Sequence, residues 1–259
     1  MTTQFWRFST DARRSTLAPF ILRGLAICLM FGARHVFAQG SVGFSASGGI
    51  ADGAFGGGPS DQKAFYGAGL SYTYGTATKA SSFVASGGFQ VYGYKLSGTG
   101  PAGNVSVFEY RTPVTLGGRL GNFGIGGYFD YRQSVLTQDG YDPGNLHALF
   151  YGPYVRIGLG PLGSVAGKFA LEGRYLWGSG SHDGTSGAYF GADPNQTTNV
   201  DLKSPHDWRA GVSFAATPHF IVRAEYHDVN YSVDTTNLID PHSLDYKVKL
   251  YGVTLGYVF

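Results

Sequence analysis

The sequence predicts an all-β chain: a transmembrane antiparallel up-and-down β-barrel of about ten strands, with eight as the alternative count. Three observations carry this. Apolar and polar residues alternate in about ten segments after residue 39. The connections between those segments run long, short, long, short. The last segment, from Leu250 to Phe259, puts Tyr251, Val253, Leu255, Tyr257 and Phe259 on one face and Gly252, Thr254, Gly256 and Val258 on the other. Successive side chains of a strand point to opposite faces, so that segment is a ribbon with one apolar and one slim side.

Bulk composition agrees with a lipid-facing wall. Of 259 residues, 41 are Gly, 18 Tyr and 19 Phe, and only 14% are charged. An ordinary soluble surface needs more charge than that. Disorder goes with few aromatics and high net charge, so it does not explain the glycines. The formal charge of +2 is set by the first 38 residues, where Arg7, Arg13, Arg14, Arg23 and Arg34 face only Asp11. Without that stretch, 14 basic and 16 acidic residues remain, a balance of −2. No basic patch points to nucleic acid.

Residues 1–38 read as a cleaved signal peptide and 39–259 as the barrel domain. A basic segment precedes an apolar core from Gly24 to Ala33, and Val36-Phe37-Ala38 offers small residues for cleavage after Ala38. Arg23 interrupts the apolar run, leaving it too short for a spanning helix. A lipoprotein signal at Cys28 fits poorly, because bulky Ile27 precedes it. Cys28 is the single Cys, so the mature chain has no disulfide and no thiolate site.

The ten segments are 41–50, 63–74, 82–95, 104–119, 122–133, 147–159, 165–177, 206–216, 219–232 and 245–259. Phe220, Val222, Ala224 and Tyr226, for example, alternate with Arg223, Glu225 and His227. Short connections fall near 75–81, 120–121, 160–163 and 217–218. Long ones fall near 51–62, 96–103, 134–146, 178–205 and 233–244, and they are rich in Asp. With both chain ends on the short-turn side, ten strands satisfy this alternation throughout.

The polar faces then aim a set of charges into the lumen: Glu109, Arg111, Arg119, Asp130, Arg132, Arg156, Lys168, Glu172, Arg174, Arg209, Arg223, Glu225 and His227. Lone buried ions are costly, so these should pair or meet water. Small barrels fill with their own side chains, which favours a plug of ion pairs and aromatics such as Tyr92, Tyr128, Phe150 and Tyr154. The alternative is a narrow path preferring anions, suggested by the excess of Arg over carboxylate. Tyr72, Tyr74, Tyr151, Tyr175, Trp177 and Trp208 fall near strand ends, where aromatic girdles form at the two membrane interfaces.

Export signal, alternating segments, loop pattern and terminal Phe259 together resemble small bacterial outer-membrane β-barrels of the OmpA-like or opacity type. The resemblance covers the whole mature chain and is one of pattern. It implies residence in the bacterial outer membrane, contact with outer-membrane lipid and lipopolysaccharide, and a structural or surface-interaction role through the long loops. It also implies that the closing strand, Tyr251, Val253, Leu255, Tyr257 and Phe259, is the β-signal read by the assembly machinery.

No enzyme, cofactor or metal site is expected. Some barrels of this class are rim hydrolases, and His182-Asp183, His206-Asp207, His227-Asp228 and His242-Ser243 are the candidate positions. Adjacent strand residues face opposite ways, so His227 and Asp228 do not cooperate directly. Gly158 to Gly163 spells G-x-G-x-x-G, but Pro161 and the following strand pattern deny it the helix that a dinucleotide site needs. The Asp-rich loops could hold divalent cations, though no spacing fits a defined loop. A soluble lipocalin-like carrier would invert the faces, with aromatics inside and charges out.

Overall fold

A computed structural model describes residues 40–55, 60–77, 81–98, 104–137, 144–160, 167–185, 197–233 and 245–259. The expected signal peptide and cleavage position, and most residues of the long connections, lie outside the described residues. The strands are β1 (Gly40–Phe55), β2 (Asp61–Ala77), β3 (Ser81–Gly98), β4 (Val105–Leu120), β5 (Phe123–Thr137), β6 (Asn145–Gly160), β7 (Lys168–Thr185), β8 (Thr197–Ala215), β9 (Phe220–Val233) and β10 (Asp245–Val258).

Each strand pairs antiparallel with its neighbours in sequence, and β10 pairs with β1 to close the barrel. Closure leaves no sheet edge, which is what a strand protein in lipid requires. Ten strands form, as the alternation requires; the alternative of eight is not what is seen. β1 begins and β10 ends at the end that carries the short turns, for example Gly121-Asn122 between β4 and β5. Gly121 takes a left-handed conformation there, φ 57°. By the rule for outer-membrane barrels this end is periplasmic.

The strands run further than the apolar alternation indicated. The stretch 178–205, read as one long loop, is largely strand: β7 continues to Thr185 and β8 starts at Thr197. These extensions are rich in Gly, Ser and Thr, with Val200 and Leu202 their only large apolar residues, so they lack the apolar face by which a strand is recognised. Two irregularities accommodate them, one between Trp177 and Ser181 and one between Lys203 and His206, where Ser204 has φ 49°. At the same end, β1 curls past β2 and pairs in parallel with β3 (Ala54 with Ser97, Phe55 with Gly98).

Outside and inside exchange character along the barrel. On β10, Tyr251, Val253, Leu255 and Tyr257 face outward and are exposed, with Gly252, Thr254 and Gly256 inward. Nearer the extracellular end, Tyr246, Val248 and Leu250 face inward and are buried, while Lys247 and Lys249 face out. The same exchange occurs on β4, between buried Val107 and exposed Phe108. Below the exchange the surroundings are lipid; above it they are water, and the lumen becomes an apolar core. That core includes Phe55, Leu96, Val105, Leu136, Leu146 and Leu176. The expectation of a polar interior therefore holds only towards the periplasmic end of the wall.

The Gly- and Ser-rich β1 closes the seam by being thin. Phe65 of β2 lies across β1 towards β10. A Cβ at Gly49 would come within 2.8 Å of its ring, and one at Gly252 within 2.4 Å.

Candidate functional site

The lumen charges are built from one repeated device. Two residues of opposite sign, two apart on one strand, point to the same side. Glu109 and Arg111 on β4, Asp130 and Arg132 on β5, and Arg223 and Glu225 on β9 are such pairs. Asp207 and Arg209 on β8 form another, at 2.8 Å. Asp207 was not among the lumen residues expected from sequence, because it was assigned to a rim beside His206. Its match to Asp130-x-Arg132 is the signal that would have placed it.

Two of these pairs lock across the barrel. Arg132 donates to Asp130 at 2.8 Å and also to Asp207, while Arg209 donates to Asp207 at 2.9 Å and to Asp130 at 3.0 Å. The result is a closed quartet of alternating charge linking β5 with β8, and all four side chains are buried. Arg132 lies over the Phe150 ring at 4.1 Å. Arg174 lies over Tyr128 at 4.4 Å, and Arg111 over Tyr92 at 4.5 Å. Guanidinium groups on ring faces gain cation–π attraction where water is scarce.

Glu109 receives Arg111, Ser134 at 3.2 Å and Tyr94 at 3.4 Å. Tyr94 shares a hydrogen bond with Tyr246, whose ring stacks on Tyr231 at 4.4 Å. This tyrosine cluster, unanticipated from sequence, joins the charge layer to the apolar core above it.

Towards the periplasm the second layer is looser. Arg174 donates to Glu225 at 3.2 Å, and His227 meets the same carboxylate at 3.2 Å through Nε2. Glu172 accepts from Ser213 at 3.2 Å and holds Arg223 at 3.4 Å and Arg156 at 3.6 Å. Arg156 is half exposed. Arg119 and Lys168, expected in the same network, sit instead at the periplasmic rim. Arg119 donates to the Gly121 carbonyl at 2.7 Å, and neither makes an ion pair among the described residues. Both stand within one or two residues of a strand end, where water reaches them.

The rim His–Asp neighbours separate as strand geometry dictates. His182 is buried in the lumen while Asp183 pairs outward with His147 at 3.4 Å. His206 faces out against Tyr175, whereas Asp207 is in the quartet. His227 faces in, and Asp228 faces out to accept from Tyr226 at 3.2 Å. His242 and Ser243 lie outside the described residues.

On the outer wall, Tyr151, Tyr175, Trp177 and Trp208 are exposed at the upper margin of the apolar belt. Trp208 packs on Tyr226 at 4.8 Å and Tyr226 on Tyr251 at 4.9 Å, extending this band around the wall. Tyr72 and Tyr74 lie at the opposite, periplasmic margin, paired in register with Val42 and Gly40. Phe259 joins that margin, edge-on to Phe44 at 5.7 Å and to Tyr257 at 4.9 Å. Val253 and Leu255 of the closing strand lie between the two margins, paired with Gly48 and Ala46 of β1.

No protein-family model matches the chain, and no curated protein matches it. Solved structures do match in fold. The β domain of the Bordetella autotransporter BrkA aligns with a TM-score of 0.51 at 8% identity, over 85% of this chain and 99% of that one. The translocator domain of autotransporter NalP from Neisseria meningitidis gives 0.40 at 11%, over 94% and 97%. Ail, the attachment invasion locus protein of Yersinia pestis, gives 0.34 at 17%, over 85% and 99%. The BrkA likeness supports the fold and nothing finer. The chain has the architecture of a small outer-membrane β-barrel, with an apolar belt on its outer wall bounded by two aromatic margins.

Proposed function

We infer that this protein is a structural or surface-interaction barrel whose lumen is closed to solutes. One observation carries the reading: the extracellular half of the lumen is packed with side chains. Phe55, Leu96, Val105, Leu136, Leu176 and Leu250 are each at most 1% exposed. The buried quartet lies beneath them. Packing of that kind leaves no continuous aqueous column. What remains for contact with other molecules is the extracellular rim, where Asp52, Asp61, Asp183 and Asp201 accompany the strand ends. Catalysis is no part of this reading, since each described His–Asp neighbour pair is split between the two faces.

Planar-bilayer recording tests the closed lumen. The purified barrel is expected to insert without stepwise conductance. Discrete, anion-selective steps would replace this reading with the narrow-channel one, which the basic residues at the periplasmic mouth favour. Contact with lipid and lipopolysaccharide is expected along the outer belt. Recognition by the assembly machinery is expected at β10. Deleting Phe259 removes the ring that packs on Phe44 and Tyr257, and should lower the yield of folded barrel in the outer membrane several-fold. An unchanged yield would remove β10 from that role.

A further inference from the structure

The periplasmic part of the lumen has an electrostatic character that the closed-barrel reading does not use. Arg119, Arg156 and Glu172 face the lumen side on β4, β6 and β7, in one registered row with Gly124 between the two arginines. Gly124 carries no side chain, so the wall between the arginines is bare. Strands are about 4.8 Å apart, which sets the two arginine backbones about 10 Å apart. Arg223 and Lys168 complete the basic side from β9 and β7. Glu172 is the one carboxylate among them, and Arg156 and Arg223 share it. Glu225 lies deeper, engaged by Arg174 and His227, and Arg223 reaches it at 3.6 Å. Arg119 and Lys168 have no carboxylate partner among the described residues.

The facing side is neutral and hydroxylic. Ser45, Ser71, Ser86 and Thr254 point inward from β1, β2, β3 and β10. Unlike the residues of the extracellular half, these are partly or fully exposed, as are Arg156 and Arg223. Water therefore enters from the periplasm and stops at the buried layer.

We propose that this blind vestibule binds a small soluble polyanion of the pyrophosphate class from the periplasm, held by Arg156, Arg223, Arg119 and Lys168. Guanidinium forks match phosphate oxygens two at a time. The spacing of the arginines suits a ligand with two charged centres, and the hydroxyl wall can donate to its remaining oxygens. The inference needs the barrel and its lumen orientation, not the absence of conductance.

The test is calorimetric titration of inorganic pyrophosphate into the full mature barrel in a neutral maltoside detergent. Saturable binding that weakens as salt rises is expected. Arg119→Gln with Lys168→Gln should weaken it at least ten-fold, and these side chains have no ion-pair partner whose loss would harm folding. Arg156→Gln should weaken it further. Lys247→Gln with Lys249→Gln, at the extracellular end, should leave it unchanged. No saturable binding, or equal loss in the extracellular control, would overturn the proposal. Displacement of pyrophosphate by added phosphatidylglycerol would overturn it too, by assigning the site to a lipid headgroup.

Discussion

Asp207 stands where two guanidinium groups converge. It is fully buried and accepts from both Arg132 and Arg209. Removing one partner from such a group leaves a charge without compensation, at a cost of about 3–5 kcal/mol. Asp207→Asn should lower stability by that amount in urea unfolding from lipid vesicles. Replacing Asp207 and Arg132 together by Leu and Met should cost less, because Asp130 and Arg209 remain as a pair. Equal losses in the two variants would mean that the quartet is not a unit. Most of this network was legible in the sequence. Glu109, Arg111, Asp130, Arg132 and Glu225 stand on the polar faces of alternating segments. Asp207 escaped because its strand was started only one residue before it. Which carboxylate meets which arginine across the lumen was not legible, since β5 and β8 are brought together only by closure.

At the scale of the strand, the informative feature is the exchange of faces within β10. Leu250 and Tyr251 are adjacent apolar residues, one buried and one exposed. Alternation alone reads such a doublet as a fault; in this barrel it marks where the wall leaves the membrane. Val253 lies in the belt below that mark, and Asn230 of β9 faces out above it. A cation at the bilayer midplane costs about 2–4 kcal/mol, and near an interface about 0–1 kcal/mol. Val253→Lys should therefore destabilise the folded barrel in lipid by the larger amount and Asn230→Lys by the smaller. Similar losses at the two positions would put the membrane boundary elsewhere. The extensions of β7 and β8 were read as loop for the same reason: above the membrane a strand no longer needs a greasy outer face.

Over the whole molecule, charge is distributed along the barrel axis. Asp52, Asp61, Asp183 and Asp201 share the extracellular rim with Lys63, Lys203, Lys247 and Lys249, buried pairs occupy the middle, and Arg119, Arg156, Lys168 and Arg223 line the periplasmic mouth. The middle layer and the apolar core above it are packed with buried side chains, inside an unbroken circuit of ten ladders. A closed circuit with a packed interior resists detergent until heated. Unheated protein should therefore run ahead of boiled protein in dodecyl sulfate gels. Identical migration would argue against closure.

While closure chose ten strands over eight, the alternating strands, the direction of the lipid-facing side chains and the placing of the first and last strand on the short-turn side were determined by the sequence alone. Each follows from a local rule: a period of two, a turn length, a terminal apolar ribbon. Only the tertiary structure decided that the upper lumen is an apolar core, that β1 must stay thin for Phe65 to cross it, and that Asp130 meets Arg209. Those outcomes depend on which strands face one another across a closed circle, and no local pattern carries that distance.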